Sequence, residues 1–323
     1  MGESDIKVSA LILTYNHERF IGEAIEGVLM QKTDFPYELV ITEDCSTDGT
    51  RDVIRRYCQK YPDRVRVLLN RHNIGPHRTI VRGYQACRGR YVTCMDGDDY
   101  WSSPDKLQRQ ADLLDRHSDC AMCFHSVTPL RDDEPQGSTP WRPRKVQETY
   151  TLADILDCNF IAACSVMYRK GVFSEHPSWF FLLPVGDWTQ HIAHAQHGKI
   201  GYIDEPMAVY RMHPGGVHSL RPREQTLRVD IKTRLFLRQM LGKDYQPALT
   251  VSLIHQYAML AQVYREKGSR AELRACVRDC VLDCFSNFFR KDLSLMKMLA
   301  HTYLPGPYGW LRSSARGQSG QAG

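Results

Sequence analysis

Long apolar runs are what this 323-residue chain most plainly lacks. Nowhere do about 18 consecutive apolar residues occur, so no ordinary membrane-spanning helix is expected. Blocks of one charge are missing too. The net charge is +5, and the basic residues are spread thinly with a modest excess across residues 221–243. No Lys/Arg cluster is interleaved with aromatics, so a nucleic-acid partner is not expected. Residues 1–7 are polar and the first apolar run is only strand-length, which argues against a signal peptide. No G-x-G-x-x-G turn follows that run and no G-x-x-x-x-G-K-S/T occurs anywhere, which disfavours the common dinucleotide and P-loop solutions. The eleven cysteines are odd in number and irregularly spaced, and Cys94, Cys123 and Cys164 sit inside apolar runs. Reduced, buried thiols in the cytoplasm are the reading. Cys120 and Cys123 have no matching pair to complete four zinc ligands. Cys276, Cys280 and Cys284 recur every four residues, so on a helix they share one face as small hydrophobes.

What is present begins with a regular alternation. Residues 8–13 read as a buried strand, 18–30 as an amphipathic helix with Phe20, Ile21, Ala24, Ile25 and Val28 on one side, 39–42 as a strand and 50–61 as a helix. Residues 65–69, 75–87 and 91–95 continue as strand, helix and strand. Such alternation predicts an α/β fold with a mostly parallel sheet covered on both faces. In sheets of that kind ligands sit beyond the carboxyl ends of the strands.

Each polar cluster falls at such an end. Thr14-Tyr15-Asn16-His17-Glu18 follows the first strand and Glu43-Asp44-Cys45-Ser46-Thr47-Asp48 the second; Asp96-Gly97-Asp98-Asp99 follows the fourth. Three carboxylates around one glycine repel one another, and a hard divalent cation relieves them while leaving positions for phosphate oxygens. With the glycine-rich solutions disfavoured, a nucleotide site built from side chains and an ion remains, in which Tyr15 stacks on a base and Asp44 accepts a base N–H. Helix capping is the plainer reading of Ser46, Thr47 and Asp48. His191, His194 and His197 drift around a helix at spacing three, which reads as a solvated face.

Thr14-Tyr15-Asn16, Glu43-Asp44-Cys45-Ser46-Thr47-Asp48-Gly49-Thr50, Asn73-Ile74-Gly75 and Gly97-Asp98-Asp99-Tyr100-Trp101 are followed by Gly186-Asp187-Trp188 and Tyr210-Arg211-Met212-His213. In this order they resemble the family 2 glycosyltransferases of GT-A fold, over about residues 6–220. The resemblance implies an inverting enzyme that moves a sugar from a nucleoside diphosphate, with UDP the first expectation, to a glycan or glycoconjugate hydroxyl in bacterial-type polysaccharide assembly, with Mn²⁺ or Mg²⁺. The donor-binding set it implies is Thr14, Tyr15, Asn16, Glu18, Asp44, Arg78, Asp96, Asp98 and Arg211. Its metal ligands are Asp99, with Asp98 and His213. Of the acidic pair, Asp99 is expected on the metal and Asp98 on the ribose or donor sugar. Asp187 is the expected general base. Many relatives carry Glu-Asp there, and Gly186 stands in place of the Glu, so only Asp187 is available.

The implied organisation is a GT-A domain over residues 1–220, with a nucleotide-sugar half at about 6–128 and an acceptor half at 129–220. A helical extension over 221–311 and a disordered Ser/Gly/Arg-rich tail over 312–323 follow. Residues 129–150 read as a long connection that helps form the acceptor site. The apolar faces of the extension's helices suit packing on the core, homodimerisation or peripheral membrane contact, and a cytoplasmic location at the inner membrane face agrees with the last. A nucleotide-sugar-binding module without catalysis and a sugar nucleotidyltransferase are the alternative functions.

Overall fold

The computed structural model describes residues 6–131, 139–183, 186–216 and 221–285. The expected tail over 312–323 lies outside them. The chain forms two compact units, Met1–Leu220 and Arg221–Gly323.

The first unit is built on β1 (Val8–Thr14), whose Val8, Ala10, Leu11 and Ile12 have no solvent exposure. Burial on both faces removes the usual polar alternation, and each large aliphatic side chain placed there contributes roughly 1.5–3 kcal/mol. β2 (Tyr37–Glu43) and β4 (Tyr91–Asp96) pair with β1 in parallel, and β3 (Val65–Leu69) pairs with β2, also in parallel. The crossovers are α1 (Ile21–Leu29), α2 (Thr50–Lys60) and α3 (Pro76–Ala86). α1 buries Ile21, Ala24, Ile25 and Val28, a one-sided helical stripe. The sequence suggests a start near Glu18, but the helix begins at Ile21. Phe20 and Ile21 amides both donate to the His17 carbonyl in a tight turn, and Glu18 is drawn off to the neighbouring loop, where its carboxylate accepts from the Gly49 amide at 2.9 Å.

Beyond β4 the sheet turns mixed. Its order is β3-β2-β1-β4-β8-β6-β9-β5, with β7 also on β9. β5 (Tyr100–Trp101), β7 (Thr149–Tyr150) and β8 (Met167–Arg169) are two or three residues long, and all three pair antiparallel. The long pair β6 (Cys120–Arg131) and β9 (Lys199–Met212) is parallel, with irregular register around Ser126. α4 (Lys106–Arg116), α5 (Leu152–Asp157) and α6 (Gly186–Ala195) complete the unit. Gly27 lets α1 lie close to the start of β5's return: a Cβ there would meet the Trp101 amide nitrogen and carbonyl oxygen at 2.9 Å.

α6 corrects one expectation. His191 and His194 are fully buried rather than solvated, and His197 is exposed. The Tyr168 hydroxyl lies 2.7 Å from His191 Nδ1 and the Tyr84 hydroxyl 3.1 Å from His194 Nε2, so the rings have polar partners inside an aromatic cluster. Burial drives His191 down to about 4 and His194 down to about 3.

In the second unit α7 (Arg223–Met240), α8 (Gln246–Glu266) and α9 (Arg270–Phe285) share a core that includes Leu227, Ile231, Leu253, Ile254, Tyr257 and Cys276. Cys276 and Cys284 are buried and Cys280 is half-buried, as their common face predicts. Among the described residues no helix is long and apolar enough to cross a membrane.

Candidate active site

The loops after β1 and β2 are stitched to each other. Asn16 and Cys45 hold positive φ, 58° and 64°, each just past a strand end. Asn tolerates this region and cysteine does so less readily, so the turn after β2 is held by its surroundings. The Asn16 amide donates to Ser46 Oγ at 2.9 Å, the Thr47 amide returns a bond to Asn16 Oδ1 at 2.8 Å, and the Glu18 amide donates to Asp48 Oδ2 at 3.1 Å. Asn16, Glu18, Ser46 and Asp48 are thus engaged in loop structure. Glu43 anchors the same turn from below. It is fully buried, accepts from the Ser46 amide at 2.5 Å and pairs with Arg51 Nε at 2.5 Å.

Asp44 organises the next loop. Its Oδ1 accepts from Asn70 Nδ2 at 2.7 Å and from the Ile74 amide at 2.9 Å; Oδ2 accepts from the Gly75 amide at 2.9 Å. Tyr15 stands exposed at the rim, Thr14 is buried beside Asp44, and Arg78 projects to solvent from the first turn of α3.

The acidic turn follows. Gly97 is required by crowding, since a Cβ would come within 2.9 Å of both His17 Nδ1 and Thr14 Oγ1. Asp98 and Asp99 follow in a turn closed by the Asp99 amide, which donates to the Asp96 carbonyl at 3.2 Å, and they meet different partners. Asp98 Oδ2 lies 3.1 Å from His213 Nε2 and 3.8 Å from His17 Nε2. Asp99 is buried, with Oδ1 accepting from the Arg211 amide at 2.8 Å, and burial followed by the nearby Asp98 charge pushes its carboxyl well above the usual range. Asp98 thus meets His213, and Asp99 ties β9 to the turn through the Arg211 amide. Asp96, the last residue of β4, is exposed to solvent, and the protein atoms around it, then the charges of Asp98 and Asp187, push its carboxyl up.

Arg211, expected at a diphosphate, is engaged within the chain. Its Nη1 donates to the Asp98 carbonyl at 2.8 Å, Nη2 pairs with Glu23, and the guanidinium lies over the rings of Phe20 and Tyr100. It braces the turn. Asp187 sits in the first turn of α6, with Oδ1 accepting from the Trp188 amide at 2.7 Å, and its charge is felt at Asp96, His77, His191 and Tyr210. Strands β4 and β9 and helix α6 therefore bring Asp96, Asp98, His213 and Asp187 to one edge of the sheet.

Three site residues are absent from the sequence reading. His17 lies between Thr14 Oγ1, 3.3 Å away, and Asp98; burial lowers its ring while Asp98 opposes. Burial, then the charges of Asp99, Asp187, Asp96 and Asp98, raise the Tyr210 phenol far up. His77, on α3, presents a buried Nε2 with no hydrogen-bond partner among the described residues, 3.8 Å from where a Cβ on Gly186 would lie. His17 and Tyr210 both stand inside the quoted motifs, and that adjacency is the signal that could have found them.

Residues 9–176 match the family model described as glycosyl transferase family 2. The chain belongs to that family. An uncharacterised protein of Mycobacterium tuberculosis is 37% identical to it over 211 residues, 65% of this chain and 60% of that protein. This family member thus spans about 60% of such a relative's length. Among solved structures, Staphylococcus aureus TarS 1–349 superposes with a TM-score of 0.61 at 18% identity, over 87% of this chain and 80% of that one. TarS is named a poly(ribitol-phosphate) β-N-acetylglucosaminyltransferase, and its structures include complexes with UDP and with UDP-GlcNAc. The mannosyltransferase PcManGT of Pyrobaculum calidifontis, in complex with GDP-Man and Mn²⁺, gives a TM-score of 0.52 at 17% identity, over 85% and 80% of the two chains. Their common architecture is the GT-A fold, followed here by helices.

Proposed function

We propose that this chain is a metal-dependent inverting glycosyltransferase that moves a sugar from a nucleoside-diphosphate sugar, a UDP-sugar first, to a hydroxyl of a glycan or glycoconjugate acceptor in polysaccharide assembly. The observation that carries the proposal is the meeting of Asp98 with His213, 115 residues later, at the strand end where Asp96 feels the charge of Asp187. The family and the nucleotide-sugar complexes of TarS and PcManGT support it.

The donor set fits a divalent ion. Asp98 offers a carboxylate oxygen and His213 an imidazole nitrogen, a mixture that suits Mn²⁺. Among the described residues no group of three or more His, Cys, Asp or Glu side chains is arranged to hold a metal. Two protein ligands leave the remaining positions to substrate phosphate oxygens and water, the usual arrangement for Mg²⁺-type sites. When bound, the ion neutralises charge on the departing diphosphate.

The chain's own residues supply the rest. Tyr15 offers an exposed ring for the base, and Asp44 shapes the loop beneath it. Asp187 removes the acceptor hydroxyl's proton as that oxygen forms its bond to the anomeric carbon. The bond to the diphosphate breaks on the opposite face, and the diphosphate leaves with the electron pair. Asp99, Arg211 and Gly97 keep the turn in place.

The experiment is a panel of UDP-, GDP- and dTDP-sugars incubated with the protein with and without Mn²⁺, following diphosphate release and the product's anomeric configuration by NMR. At least one donor is consumed only with metal, and its anomeric configuration inverts. Stabilisation by a nucleotide sugar without turnover across a broad acceptor panel would instead make the chain a binding module, and pyrophosphate release from a nucleoside triphosphate would make it a nucleotidyltransferase.

A further inference from the structure

Trp141 is an unusual surface residue. Its side chain is 40% exposed, yet its backbone is pinned. The Trp141 amide donates to the Val127 carbonyl at 2.8 Å and the Val127 amide donates back at 3.2 Å, an isolated antiparallel bridge on β6. The next residue, Arg142, reaches the other way to Asp204 at 3.2 Å, and Asp204 is itself fixed by the hydroxyls of Tyr202 at 2.8 Å and Ser126 at 3.2 Å. The indole is therefore presented rather than left loose. It meets Tyr210 edge to face, with ring centroids 5.7 Å apart at 76°, and Tyr210 is followed by Arg211, whose amide holds the Asp99 carboxylate at 2.8 Å. An aromatic face is thus held open to water, one ring away from the strand that meets the acidic turn.

A pyranose ring presents a face of C–H groups with hydroxyls around its edge. Such a face loses water favourably against an indole while the hydroxyls stay solvated or find polar partners, so aromatic lining with a few placed polar groups is what a saccharide needs. The position separates this ring from the donor's base. Tyr15 and Asp44 lie at β1 and β2, whereas Trp141 is fastened to the edge of β6 opposite β9, on the side of β8, two strand positions beyond β1. Two interstrand steps of about 4.8 Å make roughly 10 Å from β1, and more from β2, so the two rings serve different places along the edge.

We propose that the indole of Trp141, backed by Tyr210, is the floor of an acceptor subsite that takes a pyranose ring of a glycan. This rests on the transferase reading, since it assigns the acceptor side of that site.

The test uses the full chain with UDP and Mn²⁺ present. Soluble di- to tetrasaccharides of glucose, galactose, mannose and N-acetylglucosamine are titrated by ligand-observed NMR, and thermal stabilisation by UDP with Mn²⁺ is measured in parallel. The expected result is that at least one saccharide binds with saturation transferred to its C–H face. Trp141→Ala weakens it about tenfold or more, the equivalent of about 1.4 kcal/mol. Trp141→Phe restores most of the affinity, and UDP with Mn²⁺ stabilises all three proteins equally, which shows that the variants fold. Unchanged saccharide binding in Trp141→Ala overturns the proposal, as does the absence of any saccharide binding to a wild type that UDP stabilises. A wild type that no nucleotide stabilises removes the donor reading itself, and the subsite with it.

Discussion

At the residue scale the proposed chemistry centres on the acidic turn, whose two adjacent aspartates meet different partners. Asp98 lies 3.1 Å from His213, while Asp99 is spent on the Arg211 amide. Loss of even an outer partner of a metal ligand typically costs about 10–100-fold in affinity. Asp98→Asn and His213→Ala should therefore raise the Mn²⁺ concentration that half-saturates UDP stabilisation by about tenfold or more. Asp99→Asn keeps an oxygen for the Arg211 amide and should leave that concentration unchanged. A titration in which Asp99→Asn gives the larger shift would return the metal to Asp99. The turn itself is visible in the sequence as carboxylates crowded at a strand end. Which carboxylate faces outward is not, because it depends on where β9 comes to lie, more than 100 residues later. The same holds for Arg211, whose charge reads as a diphosphate contact until Glu23 and the Asp98 carbonyl are seen to occupy it.

At the scale of elements, the β1 to β4 alternation is legible because buried strands and one-sided helices write distinct periods. β5, β7 and β8 are too short to have a period, so the antiparallel insertion beside β4 leaves no trace in the pattern. α6 misleads for another reason. Histidine counts as polar in any periodicity, yet His191 and His194 are buried among Tyr84, Tyr168 and Phe173. The consequence is a pH dependence. Burial holds both rings down, to about 4 and about 3, against an ordinary value near 6.5. Below about 6.5 the unfolded chain takes up protons that the folded chain refuses, so stability is full above that pH and falls as pH drops towards 4, by up to about 1.4 kcal/mol per pH unit for each ring. Urea unfolding at pH 7, 6 and 5 should show this loss, and His194→Phe should flatten the slope whatever it does to the absolute stability. An identical slope in the variant would exclude His194 as a source.

At the scale of the whole molecule, the rule that ligands gather beyond the carboxyl ends of the strands is what made the edge readable, since it assembles clusters from distant stretches without knowledge of their contacts. The second unit could not be read so far. An apolar stripe on α7 fits a core, a second subunit or a membrane equally well in sequence, and in the structure Leu227 and Ile231 join Leu253 and Ile254 of α8 in one core. For the first unit the proposal is a transfer site at this edge, in which Asp187 takes the acceptor's proton. The direct measurement is turnover of the preferred nucleotide sugar by Asp187→Asn beside thermal stabilisation by the same donor with Mn²⁺. The account predicts a fall in kcat of about 10²–10⁴-fold with stabilisation unchanged; full activity in Asp187→Asn would contradict it.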